Sequence, residues 1–302
     1  MKDNRALVAG LAVVVLWASA FVAIRAAVPA MGVIGLAGVR TGVAALALLA
    51  LAVVTRSRRP RSRDLGWIAA CGFLGMPAYQ LLLNWGELHV PAGTASMIVA
   101  AAPVVSVGVA RLLFHEKVAR ATVVGSVVAL VGVAFVCLAR AGVSLSASVW
   151  IVVAAMVVQG MYHPLQRPLL ARYSSLEVAC YAIVAGAVMT MPLVVVDLGN
   201  LARADGGAWL AAVYLGLVPS AIGFVLWAYA VGRMPVAVST SLLYLVPPVA
   251  VLLGWALLGE LPVRAELLGG LVVLVGVVII ARAPRPAPRP ARLEHVQLNV
   301  FK

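Results

Sequence analysis

The sequence predicts an all-α polytopic membrane protein, with ten transmembrane helices arranged as two inverted five-helix repeats around a central cavity. Three observations carry that prediction. The 302 residues are 64% hydrophobic and only 11% charged, with mean hydropathy +1.08, whereas a soluble domain is about half apolar and a quarter charged. Ten runs each approach the roughly 20 apolar residues that a bilayer-crossing helix needs. A long segment also recurs 144 residues further on.

The runs fall at 5–28, 31–54, 65–86, 92–114, 119–139, 148–171, 175–197, 208–231, 235–258 and 264–282. They leave no room for a sizeable soluble domain. Strand-type alternation is absent, which argues against a membrane barrel. The first run is too long for a cleaved signal peptide, and no small-residue cleavage site follows it, so it is expected to be retained. Cys71, Cys137 and Cys180 sit singly within spans and read as small apolar fillers.

The net charge of +13 is distributed by loop. Lys2, Arg5, Arg56, Arg58, Arg59, Arg61, Arg63, Lys117, Arg120, Arg167, Arg172 and Arg233 gather on one side, with Arg282, Arg285, Arg289, Arg292 and Lys302; the other side's clearest loop charges are Arg140, Arg203 and Arg264. By the positive-inside rule both termini are cytoplasmic, in a bacterial inner (plasma) membrane. "TRSRRPRSRD" (55–64) is then a topological anchor rather than a nucleic-acid patch, and no nucleic-acid partner is expected. The tail 283–302 is Pro- and Arg-rich and reads as a disordered cytoplasmic extension, its "LEHVQLNVFK" end differing in character like a tag.

The repeat is visible by eye. "VPAGTASMIVAAAPVVSVGVARLLFHEKVAR" (Val90–Arg120) matches "MPVAVSTSLLYLVPPVAVLLGWALLGELPVR" (Met234–Arg264). Pro91 falls on Pro235, Pro103 on Pro247, Glu116 on Glu260 and Arg120 on Arg264; Gly72, Gly125 and Gly132 meet Gly216, Gly269 and Gly276. Two repeats result, 1–140 and 141–282. Each holds five spans, and five is odd, so the second copy enters the membrane upside down. Inverted-topology repeats are the signature of alternating-access transporters.

"WASAFVAIR" in the first span, Arg40 in the second, and the paired "LLFHEKVARATVVGSVVALVGV" and "LLGELPVRAELLGGLVVLVGV" resemble the EamA type of the drug/metabolite transporter superfamily. The likeness covers 5–282. It implies ten helices as two inverted repeats and efflux of small metabolites or drugs, with the bacterial aromatic amino-acid exporters as the nearest kin. An exporter of amino acids, aromatic ones included, is therefore expected. Other cargoes (purines, sugars, lipophilic cations) and a channel or scaffold stand as alternatives.

Polar groups inside spans are costly unless they face protein or a water-filled cavity, so each is a functional candidate. The expected substrate-binding set is Trp17, Ser19, Tyr79, Gln80, Asn84, Ser96, Gln159, His163, Trp227, Ser239 and Tyr244. Spans 1, 3, 4, 6, 8 and 9 carry it and are expected to line the cavity. Spans 2, 5, 7 and 10, poorer in hydrogen-bonding groups, are expected at the periphery. Aromatic walls with neutral donors suit an amphipathic zwitterion. Ser106 and Thr94 serve equally well as bonds to helix carbonyls, and His163 as a partner for the carbonyl that Pro164 frees. Trp85, Trp150 and Tyr229 lie near span ends and fit an interfacial belt.

No acid is predicted near the membrane midplane, which disfavours a carboxylate proton relay and a dedicated cation exporter. Enzyme signatures are absent, and no cofactor or metal is expected. Pro103, Pro247 and Pro248 are expected to bend or hinge spans 4 and 9. Glu116 with Arg120, and Glu260 with Arg264, read as structural ion pairs at helix ends. The partners are a small-molecule substrate and the lipid bilayer. The oligomeric state stays open, a monomer being compatible.

Overall fold

The computed structural model describes residues 4–115, 118–140, 147–259, 261 and 264–282. The expected Glu116–Arg120 and Glu260–Arg264 pairs each include an acid outside these residues, and the tail 283–302 lies wholly outside them; Arg120 and Arg264 themselves are exposed. Every element among the described residues is helical.

We number the helical segments α1 (Asn4–Met31), α2 (Val33–Val54), α3 (Ser62–Glu87), α4 (Ala92–Phe114), α5 (Arg120–Arg140), α6 (Ser148–Leu170), α7 (Ser175–Arg203), α8 (Gly206–Arg233), α9 (Val236–Leu258) and α10 (Arg264–Ala281). All but α5 and α10 are long and apolar enough by length and composition to cross a bilayer, which makes this a polytopic membrane protein. Leu46, Val53, Leu112, Leu210 and Leu257 are exposed on its outer surface. In water that surface would be costly; hydrocarbon accepts it.

Prolines break four segments at paired places. Around Pro77 and Pro219 the chain widens into π-helical turns, Leu74–Ala78 in α3 and Gly216–Ile222 in α8. Proline has no N–H for the normal ladder, and a π turn absorbs the misfit. In α4 the helix stops at Ala100–Ala101 and restarts with Pro103 in its first turn. In α9 a 3-10 turn, Leu242–Leu245, precedes Pro247 in the same role.

Glycines set the closest helix contacts. A Cβ on Gly125 would lie 2.6 Å from the Gly276 carbonyl oxygen, and one on Gly132 would lie 2.8 Å from that of Gly269. As residue numbers rise on α5 they fall on α10, so the two helices run antiparallel. On the other flank, a Cβ on Gly72 of α3 would come 2.7 Å from Ala182 O of α7. One on Gly216 of α8 would come 2.8 Å from Arg40 O of α2.

Helix ends are satisfied in two styles. α7 carries its own capping box, with the Ser174 hydroxyl accepting from Glu177 N and Glu177 Oε2 accepting from Ser174 N. Glu177 Oε1 also accepts from Arg58 N at 2.7 Å, and the adjoining loop is fastened by the Arg172–Asp64 ion pair at 2.5 Å. By contrast, α2 begins at Gly32, which bears no capping side chain; its φ of +76° lets α1 end and α2 begin within one residue. Its first amides, Ile34 N and Gly35 N, both donate to Asp197 Oδ2 of α7 at 2.9 Å.

At the other helix ends, Arg25 donates to Glu87 O at 2.5 Å and Arg167 to Met234 O at 2.7 Å. These cations meet the orphan carbonyls that close α3 and α8. α4 and α9 both stop in the left-handed region, at His115 (φ 51°) and Gly259 (φ 68°).

Candidate functional site

A partly open cavity lies among the middles of the helices. Its wall comprises Trp17, Ala20, Phe21 and Ile24 of α1, Arg40 of α2, and Tyr79 and Leu83 of α3. Ser96, Val99, Ala100 and Ala102 of α4, Gln159 of α6, Phe224 of α8, and Leu243 and Val246 of α9 complete it. The breaks in α4 and α9 border the cavity directly: Ala100 and Leu243 belong to them. Tyr79 follows the π turn of α3, and Phe224 that of α8.

Trp17 anchors the aromatic wall. Its indole N–H donates to Pro219 O at 3.0 Å, a carbonyl within the π turn. Its ring lies 5.4 Å from Phe224, 5.2 Å from Trp227 and 6.0 Å from His163, stacked on the last. Rings at these separations hold one another in place, so the wall is rigid where it meets the cavity.

Four of the expected binding residues line the cavity together: Trp17, Tyr79, Ser96 and Gln159. Gln159 is buried and its Oε1 has no hydrogen-bond partner among the described residues; the Ser96 hydroxyl donates to Gly93 O at 2.6 Å. His163 and Trp227 form a second layer behind Trp17, fully buried, 4.8 Å apart, with no hydrogen bond at either ring's nitrogens among the described residues.

The other five lie elsewhere, occupied in helix packing. Ser19 bonds Leu16 O and the Tyr214 hydroxyl. Gln80 accepts from Thr41, Asn84 donates to Val33 O, and Ser239 bonds the carbonyls of Pro235 and Val236. Tyr244 packs with Ala129 and Val273, its buried hydroxyl without a hydrogen bond among the described residues. As for Pro164, the carbonyl it frees is that of Gly160, and the Ser106 hydroxyl takes it at 2.8 Å, leaving His163 uninvolved.

One wall residue departs from the sequence expectation. α2 is not wholly peripheral, because Arg40 reaches the cavity and is only 3% exposed. Its Nε donates to Ser220 Oγ at 2.8 Å, it interacts electrostatically with Tyr79 and Glu87, and Nη1 has no hydrogen bond among the described residues. Glu87, just past the expected end of its span, is fully buried. The signal for Arg40 was in the sequence: an arginine in the middle of the apolar run "GLAGVRTGVAAL" is a functional candidate by default.

Comparison with known proteins adds a family. The family model described as "EamA-like transporter family" matches twice, over residues 4–138 and 146–282. A "probable terminal-alkyne amino-acid exporter" of Streptantibioticus cattleyicolor is 49% identical, covering 97% of this chain and all of the relative. An uncharacterized transporter of Bacillus subtilis is 34% identical over 87% of this chain and 86% of its own. A solved crystal structure superposes with a TM-score of 0.71 over 94% of this chain and all of its own, at 19% identity, a likeness of fold alone.

Proposed function

The chain belongs to the EamA-like transporter family, and from that premise we propose that it exports small metabolites across a bacterial inner membrane, with amino acids, aromatic ones included, as its cargo. The observation that carries the cargo reading is the central cavity. It pairs a preorganised aromatic and aliphatic wall with a few polar groups, Tyr79, Ser96, Gln159 and Arg40. Such a wall takes up an apolar side chain, and the polar groups fix its charged end. The relative named as a probable amino-acid exporter supports the same class. A cavity in which Arg40 is the one charged side chain among the described lining residues repels lipophilic cations, which disfavours that alternative.

The mechanism is alternating access by two inverted halves of five crossings each, with α5 and α10 as the fifth and tenth. Three paired contacts support the inversion: Gly125 and Gly132 against Gly276 and Gly269, Gly72 and Gly216 against α7 and α2, and Arg25 and Arg167 at the ends of α3 and α8. The glycine contacts map onto each other by residue when the copies are exchanged, and the arginine contacts by helix end. The breaks before Pro103 and Pro247, with Pro248 beside it, provide the hinges. The loop charges orient both termini to the cytoplasm.

Purified protein in liposomes is expected to exchange labelled L-phenylalanine for unlabelled amino acids saturably, and Trp17→Ala to cut that exchange at least tenfold while the protein stays folded by size-exclusion profile. Flux no higher than in empty liposomes, or an ohmic conductance in place of saturable exchange, overturns the reading.

A further inference from the structure

Arg40 is unusual in being a buried cation that the fold does not require. In the contact where Gly216 of α8 meets Arg40 O, the counterpart contact has Gly72 of α3 meeting Ala182 O. An alanine therefore suffices for the same packing. The Nε partner, Ser220, follows Pro219 in one π turn; the residue after Pro77 in the other is Ala78. One half thus carries an arginine and a hydroxyl that holds it, where the other has two alanines.

Burying a guanidinium is expensive unless its charge and donors are used. Here Ser220 fixes Nε, Tyr79 and Glu87 lie within electrostatic reach, and Nη1 is left over, buried, on a side chain lining the cavity. A guanidinium held by one nitrogen presents its remaining donors in a fixed plane, the geometry that receives a carboxylate. Gln159 in the same wall offers a free amide oxygen, an acceptor for an ammonium. The same wall carries the apolar surface of Phe21, Ile24, Leu83 and Phe224.

We propose that Arg40 is the carboxylate-binding residue of the cavity, selecting cargo that carries a free carboxylate, with Ser220 positioning its guanidinium and Gln159 receiving the cargo's ammonium. The assignment rests on the amino-acid reading above and narrows it: amides, esters and simple amines of the same side chain are excluded.

The test is competition in liposomes loaded with the full-length protein. Labelled L-phenylalanine exchange is challenged with L-phenylalanine, L-phenylalaninamide and phenethylamine, in wild type, Arg40→Gln, Arg40→Lys and Ser220→Ala. Wild type should prefer the acid over the amide by at least tenfold in half-inhibitory concentration. Arg40→Gln should lose at least tenfold in exchange and abolish the preference, Arg40→Lys should keep part of both, and Ser220→Ala should raise KM for the acid three- to tenfold. If both Arg40 variants fail to fold, the wild-type preference together with Ser220→Ala decides.

Wild-type exchange of amino acids with the amide competing as well as the acid overturns the Arg40 assignment and leaves the exporter reading standing. So does an acid preference that survives Arg40→Gln, or Ser220→Ala if that is the variant which folds. Wild-type exchange of the amide or the amine but of no amino acid overturns both.

Discussion

Where Gly216 of the second EamA copy meets the backbone of Arg40, Gly72 of the first copy meets the backbone of Ala182. The helices approach equally closely at both places, and only the side chain projecting from the partner differs. The same division recurs around the molecule. Close glycine contacts, proline breaks and left-handed helix ends come in matched pairs, whereas the cavity's polar groups do not. Trp17 of α1 lines the cavity where its counterpart on α6 is Gln159, and Arg40 of α2 lines it where the counterpart on α7 is Ala182. Packing is repeated because shape alone decides it; recognition is not, because the cargo has no symmetry.

The comparison breaks most severely at the glycines. Gly132→Val and Gly276→Val, at corresponding positions of the two copies, each push a side chain into a carbonyl oxygen, 2.8 and 2.6 Å from the new Cβ. Each is expected to cost at the top of the roughly 1–3 kcal/mol typical of overpacking. Both should lower the recovery of folded protein on size exclusion, and to a similar degree. Tolerance of valine in one copy alone would undo the equivalence.

A smaller effect is expected at Ser106→Ala, which strands the Gly160 carbonyl inside the membrane. The cost is about 1 kcal/mol or somewhat more, read as a lowered Tm in detergent.

The smallest is a gain. His115 ends α4 at a positive φ that Gly259 adopts without strain at the end of α9. Copying the second half, His115→Gly should stabilise the protein by about 0.5–1 kcal/mol, raising Tm by a degree or two. An unchanged or lower Tm would mean that the histidine is held by more than its backbone.

The frame was legible in the sequence because its determinants are residues that no other type replaces. Matched prolines located the breaks in α4 and α9, and matched glycines located the contacts of α3, α5, α8 and α10. The site was legible only in part. Trp17, Tyr79, Ser96 and Gln159 line the cavity, but Ser19 and Ser239 bond carbonyls of nearby residues, and Asn84 donates to Val33 O. A helix that is apolar all round gives no phase from which to tell its inward face. Arg40 is hidden by its surroundings: α2 holds few polar groups, and one charge among many apolar residues tells more by the cost of its burial than by the count. The π turns escaped because a proline announces a distortion without specifying its kind.

The cap on α2 has a bearing on how the protein could be cut apart. Ile34 N and Gly35 N belong to the first copy and Asp197 to the second; the Trp17 indole and the Pro219 carbonyl are divided in the same way. A first copy synthesised alone would have bare amides at the start of α2 and an unanswered indole in α1. Duplication left two units alike enough to overlay, but their hydrogen bonds have since been shared out between them. Coexpressed halves must find each other before either is complete.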